Sequence, residues 1–594
     1  MLATEKLAQV PPAQECRAPS GNPEASKRPW DAVSSFIPQG FRLDVDGLYR
    51  KKENGEDRIS GPVWVSARTR DPQGEEWGIF VQWIDPDGKG RKRAFPRDLL
   101  HDRRGGPLVQ ALSACGLEVI PGCESALVKY LGSFDVPQRL RAVAQLGWLA
   151  GGELAYVLPE SVIDAGKGQV IVYQPERYSP TTATMRQSGT LAQWQKNIGE
   201  ACKGNPRLIF AVCAAFAGPI LRFANMESGG FHMYGASSKG KTTALQCAGS
   251  VWGNGADPAT ADDSYIGRWN TTGNALEATA AAHNDGLLIL DELGTCSAQD
   301  FGKVVYDLFG GQGKARLTKD ALLMSRRSWR MFGLSSGEIS VQQRIEREKG
   351  TAHAGQLIRL IDVCVENNII TNTHGKTAAE FVKKLKNDCA RYYGVAGPQY
   401  LRTLILSYPD HAEAVYNLRA RVDEWSAGAL ESGRTISGLH ERGLQRFALV
   451  AVAGALACEW GILPIDTEDL DSAILEVSRS WLDDAVSLTD GERGVRAVRE
   501  FLQRHQLSRF PYLSTFDSEK TRDCAGYRTS DLFLFTDAGF KEACGEYGIS
   551  EVADELKRKD LLVLDDSTRN KAKHFFPGGQ RLRFYKVRFA ILEG

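Results

Sequence analysis

With 594 residues the chain is too long for a single hydrophobic core, so several domains are expected. Its 73 Lys and Arg balance its 73 Asp and Glu, which excludes a globally basic nucleic-acid binder and makes any such surface local. The twelve cysteines contain no C-x-x-C pair and no Cys/His group at zinc spacing, which excludes a zinc ribbon and a disulfide framework and fits reduced thiols in a cytoplasm.

Residues 1–28 are rich in Pro, Ala and polar residues without periodicity, the composition of a disordered tail. Over 29–180, "FRLDVDGLYRK", "GPVWVSARTRD" and "WGIFVQWIDPDGKGRKRAFP" alternate apolar and polar residues between turn signals, and helical stretches follow around Pro107–Cys115 and Cys123–Ser133. This predicts an N-terminal α+β domain. Its turn cations Lys89, Arg91, Lys92 and Arg93 fit either a nucleic-acid contact or a solvated hairpin. No basic leader precedes an apolar run, so export is not expected. The longest apolar runs, Leu208–Leu221 and Phe447–Cys458, fall short of the roughly 20 residues that span a bilayer and read as buried helices.

Residues 181–425 alternate short apolar strands with helices, the pattern of a parallel α/β sheet. Strands are expected at Phe231–Tyr234, Leu287–Leu290, Arg330–Leu334 and Gln356–Val363. The first runs into "YGASSKGKTT", with Gly235-x4-Gly240-Lys241-Thr242 opening a helix. Glycines at that spacing let backbone N–H groups turn toward phosphates, so Gly235, Ala236, Ser237, Ser238, Lys239, Gly240, Lys241, Thr242 and Thr243 are the candidate nucleotide-binding residues. Lys241 would reach the β and γ phosphates. Thr242 would bind Mg2+.

Fifty residues after Lys241, "GLLILDELG" ends an apolar strand in Asp291 and Glu292. Asp291 is the second candidate for the metal, and Glu292 the candidate that polarises an attacking water. No guanine-reading motif is visible, which favours ATP over GTP. Next, "WRMFGLSSGE" ends a strand in two serines, either of which, Ser335 or Ser336, would sense the γ-phosphate.

Between the acids and the serines lie two extended arms. A hairpin there resembles the channel hairpins of ring helicases of the viral superfamily III and minichromosome-maintenance types, which carry a basic residue to the DNA backbone. Lys319 is the candidate tip, with Lys314 and Arg316 on the rising arm. Arg359, in "AGQLIRLIDV", is the candidate arginine finger, with Arg344 and Arg347 as competitors, and Arg442 and Arg446 are candidates for a second sensor. The last two sit in a helical lid expected over 426–490, with helices around Thr435–Trp460 and Asp466–Ala485.

Residues 491–594 read as a winged-helix-like domain of three helices followed by the strands "LLVLDD" and "LRFYKVRFAIL". A recognition-type helix is expected over Ser550–Lys559, and a basic wing carries Lys571, Lys573, Arg581 and Arg583 toward duplex phosphates.

The series "GFHMYGASSKGKTTALQCAGSVWG", "WNTTGNALEATAAAHNDGLLILDELG", "GKARL", "WRMFGLSSGE", "AGQLIRLIDV" and "RFALVAVAGALA" resembles the family catalogued as domain of unknown function 927, found in bacterial mobile elements and prophages. Some members are similar to self-loading, minichromosome-maintenance-like AAA+ ring helicases of staphylococcal cassette elements. The resemblance covers about residues 36–490. It implies a hexameric 3′-to-5′ helicase with Lys241, Thr242, Asp291, Glu292, Ser336, Arg359 and Lys319 in the roles given above, acting in a bacterial cytoplasm. One departure is the first sensor, Asn in minichromosome-maintenance proteins and Ser here. The expected function is ATP- and Mg2+-dependent translocation on single-stranded or forked DNA during replication of a mobile element, with other replication proteins as possible partners and no membrane. A DNA-binding initiator or partition switch that does not unwind, and a protein-remodelling or defence ATPase, are the alternatives.

Overall fold

The structure is a computed structural model that describes residues 28–101, 106–166, 168–175, 180–315, 326–348, 354–430, 436–486, 490–513, 523–545, 547–565, 570–575 and 581–592. The tail expected over 1–28 lies, but for Arg28, outside these residues. The chain separates into two compact units, 1–182 and 183–594.

In the first unit, Phe41–Asp44, Gly47–Lys52 and Gly55–Ser60 form a three-stranded antiparallel meander. Val63–Arg70, Gly78–Ile84 and Gly90–Pro96 form an antiparallel sheet, extended in parallel by Arg139–Val143 and Ile171–Tyr173. The alternating strands turn Val63, Val65, Val81 and Trp83 into a core closed by helices Gly106–Ala114 and Glu124–Gly132. At the basic turn, Asp85 accepts the Asp87 and Lys89 backbone N–H groups and pairs with Arg91, so this acid organises the turn and occupies one of its four cations.

The second unit is built on a parallel sheet. Its strands are β1 (Gly229–Tyr234), β2 (Gly267–Arg268), β3 (Leu287–Asp291), β4 (Phe332–Gly337) and β5 (Leu360–Cys364), in the order β2-β3-β4-β1-β5. Two expected strand starts shift. Trp329–Met331 stay outside β4, and Ala354–Leu357 is a helical turn closed by the Arg359 N–H on the Gln356 carbonyl, so β5 begins at Leu360. The helices are α1 (Pro206–Ile220), α2 (Lys241–Gly249), α3 (Gly273–Ala282), α4 (Phe301–Phe309), α5 (Val341–Arg347), α6 (Ala378–Arg391), α7 (Ala396–Ser407), α8 (His411–Ala429), α9 (Gly438–Glu459) and α10 (Thr467–Val486).

Both long apolar runs are buried helices, as their composition requires: α1 is buried from Leu208 to its end, and α9 packs on it. The approach is close enough that a Cβ on Gly454 would stand 2.4 Å from the Cys213 sulfur. Among the described residues, no helix is long and apolar enough to cross a membrane.

The C-terminal segment of this unit holds α11 (Asp490–His505), β6 (Gly526–Arg528), β7 (Leu532–Phe535), α12 (Asp537–Cys544), α13 (Ile549–Arg558), β8 (Leu562–Val563), β9 (Ala572–Phe575) and β10 (Arg581–Arg588). The sheet runs β6-β7-β10-β8, with β9 paired to β10. Two strands therefore precede the second helix, against the expected run of three consecutive helices. The short segment "LFLF" becomes a strand because it pairs with the distant β10, Leu532 opposite Arg588 and Phe535 opposite Tyr585.

Candidate functional site: a phosphate loop over a parallel sheet

β1 ends at Tyr234 and the chain turns through residues 235–240 into α2, so the loop stands at the C-terminal edge of the sheet, where open α/β sheets bind their ligands. Gly235 has φ +148°, and a Cβ there would meet the Val365 carbonyl oxygen at 2.4 Å. Only glycine lets the loop lie this close to the segment after β5. Gly240 and Ser238 are left-handed as well, with φ +92° and +64°. The Lys239 carbonyl accepts the Ile369 N–H at 2.9 Å, and the Ser237 hydroxyl donates to Glu338. Lys241 is 8% exposed and its Nζ donates to the Gly235 and Ala236 carbonyl oxygens at 2.8 and 2.7 Å. Burial pulls its pKa below the usual lysine value, with Glu338 and Asp291 opposing.

β4 lies between β3 and β1, with Ser335 in register with Leu290, so Ser336 comes level with Asp291. The Ser336 hydroxyl donates to Asp291 Oδ1, both side chains buried. The same oxygen accepts the Glu292 N–H at 3.0 Å. Glu292 is left-handed, φ 59° and ψ 63°, an unusual conformation for a residue with a Cβ and one that functional sites accumulate at a cost of about 1 kcal/mol or more. Its carbonyl accepts both the backbone N–H and the hydroxyl of Thr295.

Ser335 points to the other face. Trp269 Nε1 donates to its hydroxyl oxygen at 2.8 Å, and His232 Nδ1 lies 2.9 Å away. His232 Nε2 lies 2.9 Å from the Ile339 carbonyl, which can only accept, so Nε2 carries the proton and Nδ1 takes the Ser335 proton. Burial pushes the His232 pKa down to about 4, which keeps the ring in this neutral tautomer. The relay from Trp269 through Ser335 and His232 to Ile339 ties the loop strand to the segment after β4. The sequence held no sign of it, because it exists only through strand register.

Lys241, Thr242, Asp291, Glu292 and Ser336 line one cavity of about 710 Å³. The lining also includes Asn368, Ile370, Ala378, Val382 and Lys386, from the segment after β5 and from α6. Arg347 and Glu338 also line it. Of these seven only Arg347, a competitor for the arginine finger, and Glu338, which closes "WRMFGLSSGE", fell in stretches the sequence marked, although the capping box Thr377/Glu380 announces α6 itself. The donor set fits a hard divalent cation: the Thr242 hydroxyl and the Asp291 carboxylate are oxygen ligands of the kind Mg2+ takes alongside substrate phosphates. Among the described residues, no cluster of three or more His, Cys, Asp and Glu offers another metal site.

The candidate arginines do not gather in this cavity. Arg446 is 2% exposed and donates from Nε to the Ile358 carbonyl at 2.9 Å and from Nη1 to the Glu227 carbonyl at 3.4 Å. It lies under Gly229, where a Cβ would stand 1.7 Å from Nη1. Gly229 begins β1 and the loop follows its end, about 20 Å away at strand rise, so Arg446 braces the opposite edge of the sheet and does not meet the phosphate loop of its own chain. Arg442 is exposed one turn earlier, and no described residue of α9 or α10 lines the cavity. Arg359 also sits at that opposite edge, its Nη1 donating to the Gly355 carbonyl at 2.8 Å, its guanidinium 3.7 Å from the Glu227 carboxylate and 4.5 Å from the Tyr306 ring centroid. Arg344 is tied to Glu348 and to the Cys296 carbonyl. Arg347 alone of these arginines reaches the cavity.

At the central arms, Gln312 bridges Ser328 antiparallel, and the Gly313 and Trp329 N–H groups donate across to Arg327 and Gly311. Lys314 is exposed, 3.7 Å from Asp307. Arg316 and Lys319 lie outside the described residues. On the C-terminal hairpin, Lys571 ion-pairs with Asp537 at 2.7 Å, while Lys573, Arg581 and Arg583 are exposed.

Residues 41–327 match the family described as "Domain of unknown function (DUF927)". Among solved structures, the one described as "SCCmec type IV Cch - active helicase" superposes with a TM-score of 0.62 at 18% identity, covering 94% of this chain and 100% of that one. The two share a fold. "The A form apo structure of NrS-1 C terminal region-CTR" aligns with a TM-score of 0.29 at 9% identity over 88% of this chain and 95% of that one. No curated protein matches the chain.

Proposed function

We propose that this chain is an ATP-hydrolysing translocase of the AAA+ type that moves on and unwinds DNA, working as a homo-oligomeric ring, most simply a hexamer, in replication of a mobile element in a bacterial cytoplasm. The observation that carries the proposal is the convergence of Lys241, Thr242, Asp291, Glu292 and Ser336 on one cavity whose lining also includes the apolar Ile370, Ala378 and Val382. That is the shape and chemistry of a nucleoside triphosphate. The fold shared with a structure described as an active helicase supports DNA as the load.

Each residue has a task its geometry supports. The loop N–H groups and Lys241 bind the β and γ phosphates, and Ile370, Ala378 and Val382 cover the base. Thr242 and Asp291 hold Mg2+, which neutralises charge on the phosphate oxygens when bound. Ser336 orients Asp291 and stands where it detects the γ-phosphate. Glu292 takes a proton from the attacking water, its strained turn holding the carboxylate at the cavity. Arg359, at the far edge of its own sheet, acts on a neighbouring subunit's site.

Lys314, Arg316 and Lys319 contact the DNA backbone in the channel. The partition into 29–180, a core over 181–425, a helical layer over 426–490 and a winged-helix-like domain over 491–594 completes the proposal.

The test is ATP hydrolysis with and without single-stranded and forked DNA. Stimulation by DNA that Lys241→Ala abolishes, and that Lys319→Ala loses while keeping the basal rate, is the expected result. Hydrolysis indifferent to every form of DNA refutes the translocase and favours a protein-directed ATPase.

A further inference from the structure

The C-terminal hairpin places its cations unevenly. β9 and β10 pair with Lys573 opposite Arg583 and Phe575 opposite Arg581. Further along β10 the same face carries Tyr585 and Val587 into the packed interior, where Tyr585 stacks on Phe540, so the outer rows overhang a rigid base. Directly opposed like charges weaken a β ladder. Yet among the described residues neither Lys573, Arg581 nor Arg583 ion-pairs with a carboxylate, and Asp565, the nearest acid in contact, accepts the Lys573 backbone N–H instead.

Their neighbours are all engaged. Lys571 is paired with Asp537, Arg588 with Asp560 at 3.7 Å, and Lys586 is buried with its Nζ on the Lys573 carbonyl. Amid the free cations stands Phe575, 62% exposed, with the Arg581 guanidinium 4.4 Å from its ring centroid. An exposed aromatic ring beside three cations that have no carboxylate partner among the described residues is complementary to a ligand with anionic links and flat apolar faces.

We propose that this face is a seat for single-stranded DNA, in which Phe575 stacks one base and Lys573, Arg581 and Arg583 take the flanking phosphates. The inference rests on the translocase reading and narrows it, because the wing then engages an unpaired strand rather than the duplex. Base faces are open to a side chain only where the strand is unpaired and unstacked, and stacking on an aromatic is indifferent to sequence, as a translocating machine requires. Alternate residues on one strand face stand about 7 Å apart, a spacing that lets successive cations follow a stretched strand.

The full-length protein, with Mg2+ and a non-hydrolysable ATP analogue, is titrated into fluorescein-labelled oligo(dT), into the same oligomer with abasic sites and into a blunt duplex. The proposal expects Phe575→Ala to weaken oligo(dT) binding about tenfold or more, Phe575→Trp to retain it, and duplex affinity to stay unchanged. It also expects the abasic oligomer to bind wild type and Phe575→Ala alike, since no base remains to stack. Arg583→Ala should weaken all single-stranded probes equally and lower the salt dependence. A Phe575→Ala protein with wild-type affinity for oligo(dT), or one that loses the abasic oligomer as strongly, overturns the seat. If DNA still stimulates hydrolysis in that case, the translocase reading survives. If the wild type binds no DNA, both fall.

Discussion

Replacing Arg446 by Met separates a bracing role from a sensing one. The guanidinium is almost wholly buried, and burial pulls its pKa down to about 10, so the chain accepts a costly charge beneath β1. Its bonds to the Ile358 and Glu227 carbonyls and its ion pair with Glu227 at 3.5 Å offset that cost. Removing the guanidinium leaves two carbonyl oxygens without this donor, at about 1–3 kcal/mol for each buried acceptor left unmade. Glu227 is half exposed and re-solvates, so it adds little. The expected loss is about 2–5 kcal/mol, which for a unit spanning 183–594 lowers the melting temperature by roughly 2–6 °C. Tryptophan fluorescence during heating measures the shift, and steady-state ATP hydrolysis well below both transitions measures turnover. Unchanged melting with turnover down tenfold or more would refute the reasoning and restore Arg446 as a sensor.

Gly235→Ala puts a methyl group against the Val365 carbonyl and demands a φ that alanine avoids, so the loop shifts. Nucleotide binding measured by calorimetry should fall at least tenfold, while circular dichroism stays unchanged. Ser336→Ala removes a hydrogen bond to a buried carboxylate, worth about 1.5–3 kcal/mol, and should lower turnover by roughly 10- to 100-fold and raise the Mg2+ concentration needed for half-maximal rate. His232 is held at about 4, below its value of 6.5 in the unfolded chain, so the unfolded chain binds the extra proton between these values. Stability is then fully present above about pH 6.5 and falls as pH drops toward 4, by about 3 kcal/mol for this group. Urea unfolding at pH 7.5 and 5.0 checks the sign, and His232→Gln should flatten the difference.

What the sequence made legible is what short-range pattern encodes. The loop from Gly235 to Thr243 and the strand ending in Asp291 and Glu292 are contiguous, and their chemistry follows from spacing and from the apolar residues before them. Two serines in a row cannot reveal which of them faces Asp291, because that depends on the register of β4 against β3, and the structure places Ser336 beside Asp291 and Ser335 in the His232 relay. Where the lid arginines fall was illegible for a similar reason. A helix with a basic residue near its start can land at either edge of a parallel sheet, and α9 brings Arg446 to the edge away from the loop. The apolar lining residues Ile370, Ala378 and Val382 lie more than a hundred positions beyond Lys241, an association no local signal carries. In the C-terminal segment the strands of two to four residues at β6, β7 and β8 are set by pairing rather than by their own composition, β7 and β8 with β10 and β6 with β7.

The most direct test of the central claim is strand displacement on a forked duplex with a labelled strand, comparing the wild type with Glu292→Gln in the presence of Mg2+ and ATP. ATP-dependent displacement by the wild type, with the variant binding ATP and DNA normally but displacing nothing, is the result predicted from the cavity geometry. A wild type that hydrolyses ATP yet separates no strand, or a variant that unwinds at the wild-type rate, would contradict it.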